Sequence, residues 1–176
     1  PINKIIHFAA KKCIEESFTH PLLYYQNNVQ GSMNLLAMME TYKECNRFIF
    51  SSTAAVYGEQ DNCPESATHQ PAGPYGKSKS CFEMILESMA AARPEWRIIS
   101  LRYFNPCGAH EKFFLGDDPN SEPSNLFPII QEVITGKRTQ LNIFGNDYPT
   151  EDGTCIRDFI HIADVADGHI WALKKL

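Results

Sequence analysis

The sequence lacks several features that would assign it to a common class of protein. Its six cysteines show no C-x-x-C pair and no regular spacing, which argues against a disulfide framework. No apolar run is long enough to span a bilayer, and the N-terminus has no secretory pattern. The net charge of −5 argues against general binding to nucleic acid or to anionic membranes. Reduced thiols in a cytoplasmic protein are the simplest interpretation.

A glycine-rich G-x-G-x-x-G turn, which would hold a dinucleotide pyrophosphate at a helix N-terminus, is also missing. Gly73 and Gly76 are the one pair of glycines spaced three apart, and they flank Tyr75 instead of following a first strand. No acidic residue can be assigned to an adenosine ribose either. The chain starts without methionine in a strand-like segment and ends in a helical pattern with no stop signal. We therefore expect a segment truncated at both ends.

Apolar patterns predict strands that alternate with helices. The predicted strands cover residues 2–8, 47–52 and 97–104, and the predicted helices cover residues 21–42 and 74–93. Further along, we predict a helix at 126–136, short strands at 141–144 and near Phe159, and a last helix from about Ala163. This alternation is typical of an α/β fold, a Rossmann-like parallel sheet with flanking helices. Ligands bind at the carboxyl ends of such strands, which here read FAAK, SSTAAVYG and NPCGAH.

Tyr75 and Lys79 stand one helical turn apart, so they share a helix face. A free tyrosine titrates near pH ~10 and is a poor base at neutral pH. The lysine ammonium, together with a bound cationic ring such as an oxidised nicotinamide, would favour the phenolate. A pKa lowered by ~3 units corresponds to about 4 kcal/mol. Alone, Y-x-x-x-K is a weak signal, because an exposed helix start often contains it.

Neighbouring motifs make the signal specific. The stretches FIFSSTAAVYG, PYGKSK, LRYFNPCGAH, FGNDYPTEDGT and IRDFIH together resemble the central segment of the UDP-galactose 4-epimerase (UDP-glucose 4-epimerase) family, among the extended short-chain dehydrogenases/reductases. The resemblance covers essentially the whole chain. It implies bound NAD, a cytoplasmic homodimer, and interconversion of UDP-galactose and UDP-glucose in galactose metabolism. Hydride would pass to NAD and back through a 4-keto sugar.

The resemblance also implies residue roles. Tyr75 would be the catalytic base, Lys79 would tune it and bind the nicotinamide ribose, and the Thr53 hydroxyl would hydrogen-bond the reacting sugar oxygen. The residues that match cofactor contacts are Phe8, Ala9, Ala10, Lys12, Asn27, Ser51, Ser52, Tyr103 and Phe104. The residues that match nucleotide or sugar contacts are Asn105, Asn125, Leu126, Asn142, Ile143, Phe144 and Arg157. The Arg157 guanidinium would bind the diphosphate, for which its planar fork is well suited. Lys11 departs from the family, which is usually apolar there.

Domain boundaries follow from the same resemblance. Residues 1–108 would be the C-terminal part of an NAD-binding Rossmann-like domain, 109–160 part of a smaller UDP-sugar lobe, and 161–176 a helix returning to the first domain. No metal site is expected, since the histidines share no ligand spacing. We expect the segment alone to be inactive. Acceptance of UDP-N-acetylhexosamines stays open.

The sequence leaves alternatives to this function. A sugar-nucleotide 4,6-dehydratase would carry Asp-Glu directly after the threonine, and Ala54 and Ala55 stand there instead. Another sugar-nucleotide epimerase remains an alternative. The chain could also be a non-catalytic remnant or an interaction module. Taken singly, Thr53 would be an ordinary strand-end hydroxyl, and Arg157 a surface ion-pair partner of Asp158.

Overall fold

The chain folds into two compact units. The computed structural model describes residues 2–112, 115–116 and 122–176. The first unit comprises residues 1–103 and Gly168–Leu176, and the second comprises Phe104–Asp167. The division into cofactor and substrate domains at 108 and 160 remains a prediction about function.

A parallel sheet forms the centre of the first unit. Its strands are β1 (Lys4–His7), β2 (Arg47–Ser51) and β3 (Arg97–Leu101). They lie in the order β1-β2-β3, and both strand pairs are parallel. The register aligns His7 with Phe50 and Ser51 with Leu101, so the carboxyl ends of the strands lie side by side. The predicted α/β fold with a Rossmann-like parallel sheet is confirmed.

Helices connect the strands, as a parallel sheet requires. They are α1 (Ile14–Thr19), α2 (Pro21–Tyr24), a π-helix (Tyr25–Gln30), α3 (Gly31–Thr41), a 3₁₀ helix (Ala54–Val56) and α4 (Pro74–Ala92). Pro21 and Pro74 each stand at the first helical position, where the missing N–H leaves no hydrogen bond unmade. The predicted helix at 21–42 is thus real but contains a π-helical stretch, and α1 was not predicted.

Aromatic residues from the sheet and α4 form the core. Phe48, Phe50 and Phe82 are almost completely buried, and the Phe50 and Phe82 rings meet edge to face with centroids 4.9 Å apart. The other members of this cluster are Leu36, Met39, Cys45, Leu86 and Trp96. The core therefore fixes α4 against β2, which is how the helix carrying Tyr75 and Lys79 is positioned.

The second unit contains little regular structure. The elements among its described residues are β4 (Pro106–Cys107), α5 (Leu126–Ile134), β5 (Ile160–His161) and the first residues of α6 (Ile162–Lys175), a helix that continues into the first unit. Strands β4 and β5 form a parallel pair. The predicted strand at 141–144 is wrong: this stretch has no regular secondary structure, and Phe144 is 96% exposed. An apolar run makes a strand where its backbone finds a partner, and this one pairs with no other described strand.

The described residues contain neither a candidate membrane span nor a candidate metal site. Among them, no helix combines the length and the apolar character needed to cross a membrane. Within the same ranges, no group of His, Cys, Asp and Glu side chains is arranged to hold a metal ion.

Gly76 brings α4 into direct contact with the 3₁₀ helix. A Cβ at this position would lie 2.7 Å from the Ala55 carbonyl oxygen and 3.0 Å from Cβ of Pro71. Gly31 is also helical, but a Cβ there would meet nothing nearer than 3.8 Å. Of these two helical glycines, packing therefore requires Gly76 and not Gly31.

We predict that Gly76→Ala destabilises the protein by about 1–3 kcal/mol, because the helix must shift away from a backbone carbonyl. The matched change Gly31→Ala should be neutral or stabilising by up to about 1 kcal/mol, since alanine favours the helix. Urea unfolding of both variants measures the two effects. Equal stability of the two variants would contradict the packing role of Gly76.

Candidate active site

The last residue of β2 and the two residues that follow it form the centre of the candidate site. Ser51, Ser52 and Thr53 continue the extended strand, with Thr53 at φ −158° and ψ 149°. The Ser52 N–H donates to the Leu101 carbonyl at 2.9 Å, and the Ala54 N–H donates to the Tyr103 carbonyl at 3.1 Å. These bonds align the segment after β2 with the segment after β3, so each side chain in it faces a fixed partner.

Lys79 is the buried cation of the site. Its side chain reaches from α4 to the end of β2, where Nζ donates to the Ser51 carbonyl at 2.8 Å and lies 4.7 Å from the centroid of the Phe50 ring. The residue is 4% exposed. Burial lowers the pKa of Lys79 to about 8, while the Glu83 carboxylate opposes that shift. An ammonium has three donors, so Lys79 retains N–H groups for a ligand.

Tyr75 is partly buried and pairs with Thr53. Burial raises the pKa of Tyr75, a hydrogen bond with the Thr53 side chain lowers it, and the neighbouring Tyr103 raises it further. The side chains of this part of the chain therefore favour the neutral phenol. The sequence predicted that Lys79 lowers the pKa of Tyr75. The structure shows no such effect, because the Lys79 ammonium donates to the Ser51 carbonyl instead.

Thr53 has a second contact that fixes its hydroxyl. Its Oγ1 accepts a hydrogen bond from the Ala55 N–H at 3.1 Å and so caps the 3₁₀ helix. The predicted catalytic residues Thr53 and Tyr75 are thus brought together by the structure.

Tyr103 completes this group from the segment after β3. Its hydroxyl forms a short hydrogen bond with the Ser51 hydroxyl. Its ring lies 6.0 Å from that of His169, which in turn lies 4.6 Å from the Phe8 ring. The strand ends of β1, β2 and β3 therefore contribute to one contiguous surface, as the parallel sheet predicted.

The segment after β1 is the accessible part of that surface. Phe8 is 56% exposed, Ala9 and Lys12 are exposed, and Ala10 is half-buried. Asn27 is exposed as well, and its amide donates to the Asn28 side-chain oxygen at 2.9 Å. These positions are open enough to contact a ligand, as predicted cofactor contacts must be.

Asn28 was missed from the sequence. It is buried, and its side chain accepts from the Lys11 N–H at 2.8 Å and donates to the Lys11 carbonyl at 3.0 Å and to Ser78 Oγ at 3.1 Å. Ser78 Oγ donates in turn to the Tyr75 carbonyl at 2.7 Å. Asn28 thus ties the segment after β1 to the first turns of α4. A buried amide cannot be told from its exposed neighbour Asn27 by spacing alone.

His7 lies beneath the site. Its Nε2 is 2.7 Å from the Ser32 hydroxyl, and its ring packs among Phe48, Phe50 and Phe82. Burial lowers the pKa of His7, and the nearby Lys79 lowers it further. A neutral imidazole here avoids a second buried positive charge beside Lys79.

The predicted nucleotide and sugar contacts belong to the second unit. The Asn105 amide donates to the Asp158 carbonyl at 2.7 Å, and Asn142 Oδ1 accepts from Gln140 at 2.9 Å. Arg157 is exposed, and its guanidinium donates to the Ile156 carbonyl at 2.8 Å.

The remaining predicted contacts are exposed too. Asn125 directly precedes α5, and Leu126, Ile143 and Phe144 are 45%, 73% and 96% exposed. The structure therefore keeps all seven positions available at the surface of their unit.

The donor set of the first unit fits the ribose and nicotinamide half of a dinucleotide. Lys79 and the hydroxyl groups of Tyr75 and Thr53 are the types of group that bind sugar hydroxyls, and Phe8 and Ala9 supply an apolar wall. The described residues contain no glycine-rich turn for a pyrophosphate.

Comparison with known proteins gives consistent results. The family model described as "NAD dependent epimerase/dehydratase family" matches residues 1–176. The chain is 50% identical over 176 residues to UDP-glucose 4-epimerase 3 of Oryza sativa subsp. japonica, covering 99% of this chain and 47% of that protein. It is 50% identical over 179 residues to UDP-glucose 4-epimerase of Yersinia pestis, covering 100% of this chain and 53% of that protein. The chain therefore spans about half the length of these relatives.

Solved structures agree in fold. The crystal structure of UDP-glucose 4-epimerase from Bifidobacterium longum in complex with NAD+ and UDP superposes with a TM-score of 0.93 at 40% identity, covering 99% of this chain and 53% of that chain.

The burial of Lys79 leads to a prediction about stability. The folded-state pKa of about 8 lies below the ordinary 10.5, so the folded state binds fewer protons than the unfolded state between these values. The cost of the buried charge is complete below about pH 8 and declines as the pH rises toward 10.5. We predict that Lys79→Met stabilises the nucleotide-free protein at about pH 7 by about 1–3 kcal/mol, an advantage that shrinks at about pH 9.5.

Thermal and urea unfolding of both proteins at the two pH values measures this difference. The exposed Lys77 provides the control, because Lys77→Met replaces a solvated charge on the same helix and should show no such pH dependence. A destabilised Lys79→Met at neutral pH would contradict the prediction.

Proposed function

We propose, from the premise that this chain belongs to the NAD dependent epimerase/dehydratase family, that its protein interconverts UDP-galactose and UDP-glucose. The observation that carries the proposal is the grouping of Thr53, Tyr75 and Lys79 at the carboxyl ends of parallel strands. A hydroxyl, a phenol and a buried ammonium are suited to remove and return the hydroxyl proton of a sugar alcohol, whose oxidation also requires a hydride acceptor. Similarity to relatives named UDP-glucose 4-epimerase supports the choice of substrate.

Tyr75 acts as the general base and acid of the proposed reaction. As a phenolate it takes the proton from the 4-hydroxyl group of the sugar, and it returns a proton to the ketone oxygen after the sugar has turned its other face. Because burial raises the pKa of Tyr75, its ionisation needs positive charge nearby. Thr53 holds the phenolic oxygen and hydrogen-bonds the same sugar oxygen.

Lys79 supplies positive charge and binds ribose. Its burial beneath the strand ends keeps water from screening that charge. Bound NAD would supply the reversible oxidation of the sugar carbon C4. We propose that Phe8, Ala9, Ala10, Lys12, Asn27, Ser51, Ser52, Tyr103 and Phe104 line its binding site.

The second unit is proposed to bind the UDP portion of the substrate. The exposed Arg157 guanidinium suits a diphosphate, and the amides of Asn105, Asn125 and Asn142 suit the uridine and sugar polar groups. Leu126, Ile143 and Phe144 would supply apolar contacts to the nucleotide. The domain assignment of 1–108, 109–160 and 161–176 forms part of this proposal.

Galactose metabolism in the cytoplasm is the proposed setting. All six cysteines are free, which supports a reducing compartment. The dehydratase alternative remains disfavoured, because Ala54 and Ala55 cannot act as acid and base.

The non-catalytic alternative predicts a different property of the site. A remnant or interaction module has no need for a buried lysine, whose charge costs stability. The intact set of Thr53, Tyr75 and Lys79 supports the enzymatic function.

A homodimer is the proposed assembly of the intact protein. Along α2, the π-helix and α3, the side chains of Leu22, Tyr25, Val29 and Met33 line an open apolar groove. Leu22 is 73% exposed and Met33 is 47% exposed. A second copy of the chain would bury this apolar surface.

We predict that Tyr75→Phe lowers kcat for UDP-galactose at least a hundredfold, on the order of what a general base contributes. The affinity for UDP should stay unchanged, because the phenolic hydroxyl contacts the sugar and not the nucleotide. Steady-state kinetics and UDP titration of the protein expressed at its full length measure both quantities. Tyr42→Phe, the same change at a tyrosine that is 63% exposed, should leave kcat unaltered. Full turnover by Tyr75→Phe would remove Tyr75 as the base.

For the dimer we predict that Met33→Glu weakens self-association by at least about tenfold, because two carboxylates would enter an apolar interface. Sedimentation equilibrium measures the dissociation constant. Ile134→Glu places the same charge at an exposed apolar residue of the other unit and should leave that constant unchanged. A dimer that tolerates Met33→Glu would exclude the groove as the interface.

A further inference from the structure

We infer that Glu83 is a positioning residue, whose buried carboxylate holds the segments carrying Thr53, Lys79 and Tyr103 in register for the proton transfer, an inference that rests on the proposed function. Glu83 lies on α4, four residues after Lys79, and is 2% exposed. The proposed mechanism gives this acidic side chain no role. The burial of the Glu83 carboxylate therefore needs another explanation.

The Glu83 carboxylate is bound from three sides. The Ser52 hydroxyl, at the end of β2, donates to Oε1 in a short hydrogen bond. Arg102, directly after β3, donates from Nε to Oε2 at 2.9 Å and from Nη2 to Oε2 at 2.6 Å. His69 Nε2 lies 3.8 Å from Oε2. One carboxylate thus joins α4, the two strand ends and the loop before α4.

Arg102 extends the network to that loop. Its Nη1 donates to the Tyr57 hydroxyl at 3.1 Å and to the Glu65 carbonyl at 2.9 Å. The guanidinium carbon also lies 5.2 Å from the centroid of the Tyr57 ring. The hydrogen bonds with Glu83 and Tyr57 raise the pKa of Arg102 against the effect of burial, so the guanidinium stays charged. A single guanidinium thereby fixes the loop that connects the 3₁₀ helix to α4.

Three residues of this network are close in the chain to proposed site residues. Ser52 directly precedes Thr53, and Arg102 directly precedes Tyr103. Glu83 stands one helical turn beyond Lys79, which stands one turn beyond Tyr75. A shift of the carboxylate would therefore be passed to Thr53, Lys79 and Tyr103 through one or a few backbone bonds.

Stability alone is a weak reason to keep this pair. The side chains of Arg102 and Glu83 are 16% and 3% exposed, so both charges have lost most of their water. Burying an ion pair costs about as much desolvation energy as its attraction returns, and its best-supported effect is to fix a single arrangement. A positioning role accounts for the pair where a gain in stability does not.

The charge of Glu83 also acts on Lys79. The carboxylate raises the pKa of Lys79 against the larger effect of burial. Without the carboxylate, burial and the neighbouring His7 would act on Lys79 unopposed, and the ammonium would be harder to keep protonated. Glu83 therefore supports Lys79 in two ways, by holding α4 in place and by favouring the charged ammonium.

The experiment compares Glu83→Gln with the unaltered protein at full length, both purified with their bound NAD measured. Glutamine keeps the size of the side chain but loses the charge and directs an amide donor at Arg102 or Ser52. We expect kcat for UDP-galactose to fall at least about tenfold per NAD-loaded molecule, with KM within about twofold, since small misplacements of catalytic groups cost up to about a hundredfold. A residue that only stabilises the fold would change the yield of folded protein, and not kcat per loaded molecule.

Glu40→Gln is the matched control. Glu40 pairs at 2.7 Å on the surface with Arg93, which follows the last residue of α4 at the end of the helix opposite to Tyr75, and its loss should leave both kinetic constants unaltered. Arg102→Lys is the second test should Glu83→Gln fail to fold. Lysine keeps the charge balance with Glu83 but cannot bind Glu83, Tyr57 and Glu65 at once, so we expect about a tenfold lower kcat in a folded protein.

The outcomes separate the two levels of inference. A wild-type protein that shows no epimerisation of UDP-galactose overturns the proposed function and with it the role of Glu83. An active wild type with kcat of Glu83→Gln or of folded Arg102→Lys within about threefold overturns the positioning role alone. A rise in KM with unchanged kcat does the same, because it would assign the pair to binding.

Discussion

Two opposite charges buried on one face of α4 are the constraint on which the rest of the site depends. Lys79 and Glu83 are 4% and 2% exposed, and neither can stay ionised in such a place without partners. Lys79 is bound to the Ser51 carbonyl, and Glu83 to Ser52 and Arg102. The helix can therefore dock on the sheet in one register.

Residues 51–53, at the end of β2, connect these two charges to the other residues of the site. Along Ser51, Ser52 and Thr53, successive residues contact Lys79 and Tyr103, then Glu83, then Tyr75. An extended backbone alternates its side chains between two faces, so neighbouring residues can serve catalysis and support in turn. The parallel sheet supplies the frame, because its carboxyl ends present free side chains at one edge.

The sequence predicted those parts of the fold that depend on local pattern. The strands β2 and β3 are visible as apolar runs, and α4 is visible as apolar residues at helical spacing. Once α4 is predicted, Tyr75 and Lys79 must lie one turn apart on it. Contacts between distant residues leave no local pattern: Arg102 with Glu83, and Asn28 with Lys11, are fixed by the packed structure. One signal was present for Glu83, a charged residue between the apolar residues Phe82 and Leu86 of α4. The prediction of a strand at 141–144 was wrong for the opposite reason: the apolar pattern is local, but the stretch pairs with no strand in the described part of the chain.

The electrostatics of the site favour the uncharged forms of Tyr75 and Lys79. Burial raises the pKa of Tyr75 and lowers that of Lys79, so desolvation works against both charged forms on which the proposed chemistry depends. The Thr53 hydroxyl and the Glu83 carboxylate each oppose one of these shifts without reversing it. A phenol held neutral in this way becomes a base when further positive charge arrives beside it, as the oxidised nicotinamide of NAD would provide. Proton removal from a sugar would then be tied to the presence of the group that completes the oxidation, and the tyrosine would stay inert without it.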